Sequence, residues 1–366
     1  RRNNDPQMND EPQMKMISDH HRSLSLDQRR TAADFSSHAR FPLFQSSPWE
    51  EVINAEEASL LHKGYLRINL QGVSLQDNTV LDQFKLILSK PDRLRAVSFR
   101  GCFKSRKEVE QCASLLGLLK DGIQDLASRS ARACHFETLD LGCTNFSRAP
   151  FESLHALLGL SELCVANLSL HRCCFSAGQL AALLQLVLNS KIRVLDLSQT
   201  ELDPDCFKVI CEAISKSASE IHSLDLSSVT VRPINKVNKC WQLLAQALGS
   251  PNCILTNLYL DGNFTSRLPL PPLNIINALF ANSSLCRLTV DQSTLPEEAI
   301  ERLGALISAR RAPAHLSLRQ CRLRPSDVSL LTATAVRGPA ASLSSPSAAA
   351  GGRPPKGPCF LDLGWN

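Results

Sequence analysis

The chain has few aromatic side chains and no long apolar run. Aromatic residues make up 5% of the 366 residues although 43% are hydrophobic, so the core must be built mainly from leucine, isoleucine, valine, alanine and cysteine. No apolar stretch approaches the roughly 18 residues that a membrane-spanning helix needs. The composition therefore predicts an aliphatic core and no membrane partner.

A strong excess of one charge is also absent. The chain has 40 basic and 35 acidic residues, which leaves a formal charge of +5. This balance is unlike that of a chain that binds nucleic acid mainly by electrostatic attraction. We therefore predict no nucleic-acid partner.

The 14 cysteines form no CxxC pair and share no common spacing. Most of them lie within apolar runs, so we expect reduced and buried thiols rather than the disulfide framework of a short secreted chain. A reducing compartment follows from this expectation. The predicted location is the cytoplasm or the nucleus.

Motifs of catalysis are missing as well. The sequence contains no P-loop, no GxGxxG after a strand, no HExxH and no GxSxG. His171, Cys173 and Cys174 come nearest to a metal cluster, but the repeat described below directs the two cysteines apart. We therefore expect no catalytic residue, no metal and no cofactor, and the chain is predicted not to be an enzyme.

A repeated template accounts for most of the sequence. The pattern L-x-x-L-x-L-x-x-(N/C/T)-x-L occurs in Ile192 to Leu202 (IRVLDLSQTEL) and recurs along the chain. The fourth position of the ten units is occupied by Ile68, Val97, Leu139, Leu168, Leu195, Leu224, Leu258, Leu288, Leu316 and Leu361. Successive units lie 27 to 34 residues apart, except for two steps of 42 and 45. Such a period indicates a leucine-rich repeat array.

Helical periodicity fills the segments between these motifs. Apolar residues recur at helical spacing from Phe207 to Ile214 and from Ile300 to Ile307, and Asp203-Pro204-Asp205 supplies a helix start. Units of a strand plus a helix resemble the ribonuclease-inhibitor-like class of leucine-rich repeats. They are also similar to the arrays of NOD-like receptors, the Ran GTPase-activating protein and the CARMIL actin regulators. The resemblance covers residues 65–366 and implies an α/β solenoid, or horseshoe, with a parallel concave sheet and convex helices.

Other sequence types flank and interrupt the array. Residues 1–55 have scattered charges and little periodicity, which predicts a flexible lead-in with a candidate N-terminal cap between Phe41 and Trp49. Residues 56–366 are predicted to form the array of about ten units. Within it, residues 338–358 are mostly Ala, Ser, Gly and Pro, which predicts a disordered insertion. The polar stretch from Asp121 to Arg132 either lengthens a helix or forms a loop.

The ninth template position faces a turn whose backbone groups need a hydrogen-bond partner. Residues such as Asn263, Thr200 and Cys173 can supply one. Val73 and Val229 cannot, so looser turns are expected in those two units.

The fifth and seventh template positions are predicted to project from the concave sheet. The side chains that we expect to contact a partner are Asp140, His171, Asp196, Asp225, Tyr259, Asp261 and Asp291. Because the middle of this face is acidic, the expected partner is a protein of basic or mixed charge. A small polar residue also suits an exposed strand without any partner, and the sequence leaves both explanations open.

A curved surface without catalytic groups predicts a non-catalytic scaffold for protein–protein interaction. Two narrower alternatives stay open, a substrate-recognition subunit of a ubiquitin ligase and a GTPase-activating protein of the Ran type. A third, the ligand domain of an innate sensor, would require a nucleotide-binding domain upstream of Arg1. The sequence does not indicate the oligomeric state.

Overall fold

The computed structural model describes residues 66–71, 78–103, 105–130, 133–146, 148–176, 178–188, 191–215, 220–264, 270–336, 359–364 and 366. Contacts within the chain divide it into residues 1–58 and 59–366, and every described residue belongs to the second unit. The predicted lead-in, its candidate cap and the insertion at residues 338–358 lie outside the described residues. Val73 also lies outside them.

Ten strands form one sheet in which all neighbours are parallel. They are β1 (Leu66–Asn69), β2 (Leu94–Ser98), β3 (Cys134–Asp140), β5 (Leu163–Ser169), β7 (Val194–Asp196), β9 (Ser223–Asp225), β11 (Asn257–Tyr259), β12 (Arg287–Thr289), β13 (His315–Ser317) and β14 (Phe360–Asp362). Their order in the sheet follows the chain. Four short strands form two further parallel pairs, β4 (Asn145–Phe146) with β6 (Cys174–Phe175) and β8 (Glu201–Leu202) with β10 (Thr230–Val231).

A helix leads from each strand of the large sheet to the next. The described α-helices are α1 (Asn78–Leu88), α2 (Arg106–Ser130), α3 (Arg148–Leu158), α4 (Gln179–Leu188), α5 (Pro204–Ser215), α6 (Val237–Leu248), α7 (Leu270–Leu279), α8 (Glu297–Ser308) and α9 (Pro325–Val336). Helix α2 has 25 residues, so the polar stretch that begins at Asp121 lengthens a helix and is not a loop. No described helix has the length and apolar character needed to cross a bilayer.

The fourth template position is aligned across the whole sheet. Leu195 pairs with Leu168 on one side and with Leu224 on the other, and the same register continues from Ile68 to Leu361. The leucines at the fourth and sixth positions enter one core together with the apolar faces of the helices. These features confirm the predicted fold class, a leucine-rich repeat solenoid with a parallel sheet and flanking helices.

Helix α5 begins where the sequence predicts. Asp203 Oδ1 accepts a hydrogen bond from the backbone N–H of Cys206 at 2.8 Å, which satisfies one of the free donors of the first turn. Pro204 is the first helical residue, where an N–H would have no partner within the helix. The buried side of α5 includes Phe207 and Ile210, in agreement with the helical spacing of the apolar residues.

The ninth template position links each unit to the preceding one. Thr200 Oγ1 donates a hydrogen bond to the backbone carbonyl oxygen of Leu170 at 2.9 Å. Asn263 Nδ2 donates to the carbonyl oxygen of Leu226 at 2.7 Å. Equivalent bonds are made by Cys102, Cys173, Cys321 and Asn366. These side chains therefore satisfy carbonyl groups at the end of neighbouring strands.

Three described units depart from this arrangement. The Ser293 hydroxyl donates to the carbonyl oxygen of Asp291 in its own unit at 3.3 Å. Val229 has no group to donate, but its backbone N–H donates to Asn263 Oδ1 at 2.9 Å. The turn is therefore bonded to the following unit, contrary to the expectation of a looser turn. Thr144 carries a hydroxyl that is buried and has no partner in the described part of the chain.

The eighth template position turns the chain out of the sheet through a left-handed backbone. Its φ lies between 52° and 69° at Gly101, Cys143, Arg172, Gln199, Ser228, Gly262, Gln292 and Gln320. A Cβ at Gly262 would lie 2.6 Å from Ser228 Oγ, so any other residue there would require the Ser228 hydroxyl to move. The six units with a non-glycine residue at this position bear the cost of the left-handed conformation, about 1 kcal/mol each.

Candidate protein-binding face

Three template positions place side chains on the concave face, which is the face of the sheet opposite the helices. These are the third, fifth and seventh positions, since successive side chains of a strand alternate between its two faces. In the unit of β7 they are Val194, Asp196 and Ser198. Equivalent residues form rows across the strands, and Asp196 lies in register with Ser169 and Asp225.

The expectation that the acidic side chains of this face are exposed is wrong. The exposed fractions are 1% for Asp140, 1% for Asp196, 3% for Asp225, 8% for Asp261, 0% for Asp291 and 2% for Tyr259. His171 is half-buried. The structure thus brings the predicted residues to one face but leaves almost none of their surface accessible. Their assignment to partner binding stays a prediction, without the exposed surface on which it was based.

Internal hydrogen bonds explain why the fifth-position aspartates are buried. Asp196 Oδ1 accepts a hydrogen bond from the backbone N–H of Ser198 at 2.9 Å, and Asp196 Oδ2 accepts one from the Ser169 hydroxyl at 2.9 Å. Asp140 accepts the same two kinds of bond. Each carboxyl group therefore closes the turn of its own unit and connects that unit to the preceding one.

The seventh-position aspartates bond to the following unit instead. Asp261 Oδ1 accepts a hydrogen bond from the backbone N–H of Asp291 at 2.7 Å. Asp291 Oδ1 accepts one from the backbone N–H of Arg319 at 2.9 Å. A partner that used these oxygens would have to replace bonds that hold neighbouring strands together.

Burial raises the pKa values of the central carboxyl groups. Loss of solvation is the main cause for Asp140, Asp196 and Asp225. The charge of Asp196 is the second cause of the raised pKa of Asp225, because the two residues face each other on neighbouring strands. Protonation of these carboxyl groups is therefore easier in the folded chain than in water.

Arg100 is a cation that lies almost wholly within this face, with 8% of its surface exposed. Its side chain passes over Gly142 of the next unit, where a Cβ would lie 3.2 Å from Arg100 Nε. The arrangement recurs in the last unit, where a Cβ on Gly364 would lie 3.2 Å from Arg319 Nε. The sequence carries a signal for both, namely an arginine at the seventh position followed by L-D-L-G in the next unit.

His171 has a structural bond rather than a free imidazole. Its Nδ1 lies 2.8 Å from Ser198 Oγ. Burial first, and then the charges of Arg100 and Arg172, together lower the pKa of His171 to about 3. The ring is therefore neutral at physiological pH and bridges two units.

Several buried cysteines are held in the thiol form. Burial raises the pKa of Cys134 to about 11 and that of Cys211 to about 12, which keeps both in the thiol form. Of all 14 cysteines, nine are buried, three are half-buried and two are exposed. Cys173 donates to the carbonyl oxygen of Leu141 at 3.3 Å in the interior, whereas Cys174 is exposed. Within the described ranges, no three His, Cys, Asp or Glu side chains are placed to hold a metal.

Of the three concave rows, the third template position has the largest number of accessible side chains. Arg287 pairs with His315, and His315 pairs with Phe360, on neighbouring strands. Phe360 is 61% exposed, His315 is exposed and Arg287 is half-buried. Sequence reasoning missed this row because it considered only the fifth and seventh positions. A signal was present, since none of the ten units has an acidic residue at the third position.

Comparison with known proteins gives distant structural similarity only. No family model matches the chain, and no curated protein matches it. Among solved structures, a chain of the crystal structure of the Rad7 and Elc1 complex in yeast matches with a TM-score of 0.43 and 18% identity. The match covers 86% of this chain and 79% of that chain. A likeness this distant carries no argument about function.

Proposed function

We propose that the chain is a non-catalytic scaffold that binds a protein partner on its concave face. The observation that carries this proposal is the row of third-position side chains. Seven of the ten are half-buried or exposed, whereas the fifth- and seventh-position aspartates are committed to bonds within the array. A row of accessible side chains on rigid, in-register strands suits recognition of a protein surface.

The chemistry of the concave face supports a role without catalysis. The carboxyl groups of Asp196 and Asp225 are buried and have raised pKa values. His171 is neutral and bonded to Ser198. An acid or base catalyst must reach its substrate, and these side chains are occupied by neighbouring units.

The finer aspects of the proposal follow from the unit type. A period of 27 to 34 residues in most steps, with a full α-helix in the unit, resembles the ribonuclease-inhibitor-like class. Cysteines that form no disulfide in the described part of the chain suit the cytoplasm or the nucleus. Two narrower predictions remain, a ubiquitin-ligase recognition subunit and a Ran-type GTPase-activating protein. No particular contact among the described residues supports either of them.

Site-specific photo-crosslinking tests the proposal. A photoreactive amino acid is placed at Asn167 or Asn257, third-position sites on the concave face, and at Lys208 or Arg302, exposed sites on helices. In cell extract, both concave sites should crosslink the same protein and the helix sites should not. Crosslinks to one protein from the helix sites alone would refute a concave binding face.

A further inference from the structure

Four neighbouring strands in the middle of the sheet carry an acidic part of the concave face. The strands are β5, β7, β9 and β11, and the described strands β3 and β12 flank them on both sides. We call the twelve residues at the third, fifth and seventh positions of these four units the central face. Three of the twelve are aspartates, and none is a lysine or an arginine. The aspartates are Asp196, Asp225 and Asp261.

The middle of the central face has an accessible apolar side chain, Val194, which is half-buried at the third position of β7. Val194 lies in register with Asn167 on β5. We propose that a lysine or arginine side chain of the protein partner binds here, with its aliphatic stem on Val194 and its charged group near Asp196 and Asp225. The inference rests on the proposed function and adds the chemistry of the partner.

The negative charge at this point is poorly balanced within the fold. Asp225 lies in register with Asp196 on one side and with Tyr259 on the other. Burial first, and then the charges of Asp196 and Asp261, raise the pKa of Asp225, against the hydrogen bonds from Ser227. A carboxyl group among like charges is stabilised in its ionised form by any cation that approaches it. A partner cation would therefore supply what the central face lacks.

Arg100 borders the central face on the side of β3, but it offsets these charges only in part. Its charge lowers the pKa of both Asp140 and Asp196, whereas burial raises both pKa values by more. The other titratable side chain on this side, His171, is neutral and lies 2.8 Å from Ser198 Oγ. One buried arginine is thus shared between two carboxyl groups.

Arg287 borders the central face on the other side. It lies on β12, which is the third strand from β7, so the two positions are separated by about 14 Å at the usual spacing of neighbouring strands. Its side chain shares a hydrogen bond with Tyr259. A cation above Val194 would be about 7 to 8 Å from Asp196 and Asp225. Attraction to the two carboxyl groups therefore exceeds repulsion by Arg287.

The partner cation does not need to replace the bonds that hold the strands together. Asn167 is half-buried beside Val194, and its Nδ2 donates to Thr138 Oγ1 at 3.4 Å. Its Oδ1 has no hydrogen-bond partner in the described part of the chain, so an ammonium or guanidinium group can donate to it. The buried carboxyl groups then act through space, where the effective dielectric constant is lower than in water. A long aliphatic stem that ends in a charged group is a property of lysine and arginine.

Selection from a random peptide library displayed on phage tests the inference. The enriched peptides should contain more Lys and Arg than the starting library. Synthetic copies are then measured by fluorescence polarisation against the full chain, and replacement of the central lysine by glutamine, or of the central arginine by citrulline, should weaken binding about tenfold. The affinity should fall as the pH is lowered from about 7 to about 4, because protons compete with the peptide cation for the carboxyl groups of Asp196 and Asp225.

Variants of the chain locate the binding position. Asp225→Asn removes the central charge but keeps an acceptor for the backbone N–H of Ser227, so it should weaken binding about fivefold and reduce the pH dependence. Asn167→Lys adds a like charge at an accessible position and should weaken binding about tenfold, whereas Asn167→Asp should strengthen it about threefold. Glu301→Gln removes one negative charge from an exposed site on helix α8 and should leave the affinity unchanged.

The outcomes separate the two proposals. Enrichment of acidic or neutral peptides, or no enrichment, would overturn the inference of a cationic side chain. Basic peptides that bind Asp225→Asn and Asn167→Lys as tightly as the wild type would also overturn it, because they would bind elsewhere. If the crosslinks from Asn167 and Asn257 still identify one protein, the concave binding face stands. If those crosslinks are absent, the proposed function itself fails. Circular dichroism and thermal unfolding verify that each variant is folded.

Discussion

Two threonines at the same template position should respond in opposite ways to the same substitution. Thr144 and Thr200 both occupy the ninth position, and each is 1% exposed. The Thr200 hydroxyl donates to the carbonyl oxygen of Leu170 at 2.9 Å, whereas the Thr144 hydroxyl has no partner among the described residues. Valine has nearly the same size and shape as threonine, so its introduction at either site removes the hydroxyl and changes little else.

The magnitudes follow from the hydrogen bonds. Thr200→Val loses one buried hydrogen bond, although the Leu170 carbonyl keeps the backbone N–H of Cys173 at 3.2 Å, so the expected loss of stability is about 1 kcal/mol. Thr144→Val removes a buried polar group that gains nothing from the fold, so the expected gain is about 1 kcal/mol. The two variants should therefore differ by roughly 2 kcal/mol in the free energy of unfolding.

Calorimetry measures this difference directly. For a chain of this size the melting temperature should fall by about 2 °C in Thr200→Val and rise by about 2 °C in Thr144→Val. Urea unfolding provides a second measurement, and an unchanged m-value verifies that the same surface is exposed on unfolding. If both variants lose equal stability, the Thr144 hydroxyl has a hydrogen-bond partner in solution. The prediction that its removal stabilises the fold would then be wrong.

Three further predictions concern stability and thiol chemistry. Gly142→Ala should destabilise the fold by about 1 kcal/mol because its Cβ would lie 3.1 Å from Asp140 Oδ1 and 3.2 Å from Arg100 Nε, so that both side chains must shift. Gly117→Ala has no atom within 4 Å of its Cβ in the middle of α2 and should raise stability by about 1 kcal/mol; thermal unfolding compares the two variants. Asp225 has a folded-state pKa above 3.8, so its contribution to stability is present in acid and is lost as pH rises through that pKa. Asp225→Asn should therefore be more stable than the wild type by about 1 to 2 kcal/mol at neutral pH, and an equal gain in urea unfolding near pH 4 would contradict the assignment. A thiol reagent should modify the two exposed cysteines of the native protein rapidly and the nine buried ones only after unfolding; immediate native labelling of most thiols would refute their burial.

The repeat and its register could be predicted from the sequence because leucine spacing is tied directly to geometry. Two leucines separated by one residue can enter a core together only from a strand. Regular spacing of such pairs then requires parallel neighbours joined by crossovers. The alignment of Leu195 with Leu168 and Leu224 follows from that constraint alone.

The accessibility of the concave face could not be predicted in the same way. Alternation along a strand gives the direction of the Asp196 side chain, but its burial depends on the hydroxyl of Ser169 in another unit and on the turn at Ser198. The sequence D-L-S or D-L-G after the core leucine carried part of this information, because aspartate commonly bonds a backbone N–H two residues on.

The division of the concave face into bonded and accessible rows has a consequence for how such a protein can change over generations. Substitutions at the fifth and seventh positions disturb hydrogen bonds between units, so they persist only where the fold remains stable enough. Substitutions at the third position, as at Val194 or Asn257, alter accessible side chains with little effect on those bonds. Partner specificity can therefore drift or be re-engineered one strand at a time while the folding of the array is conserved.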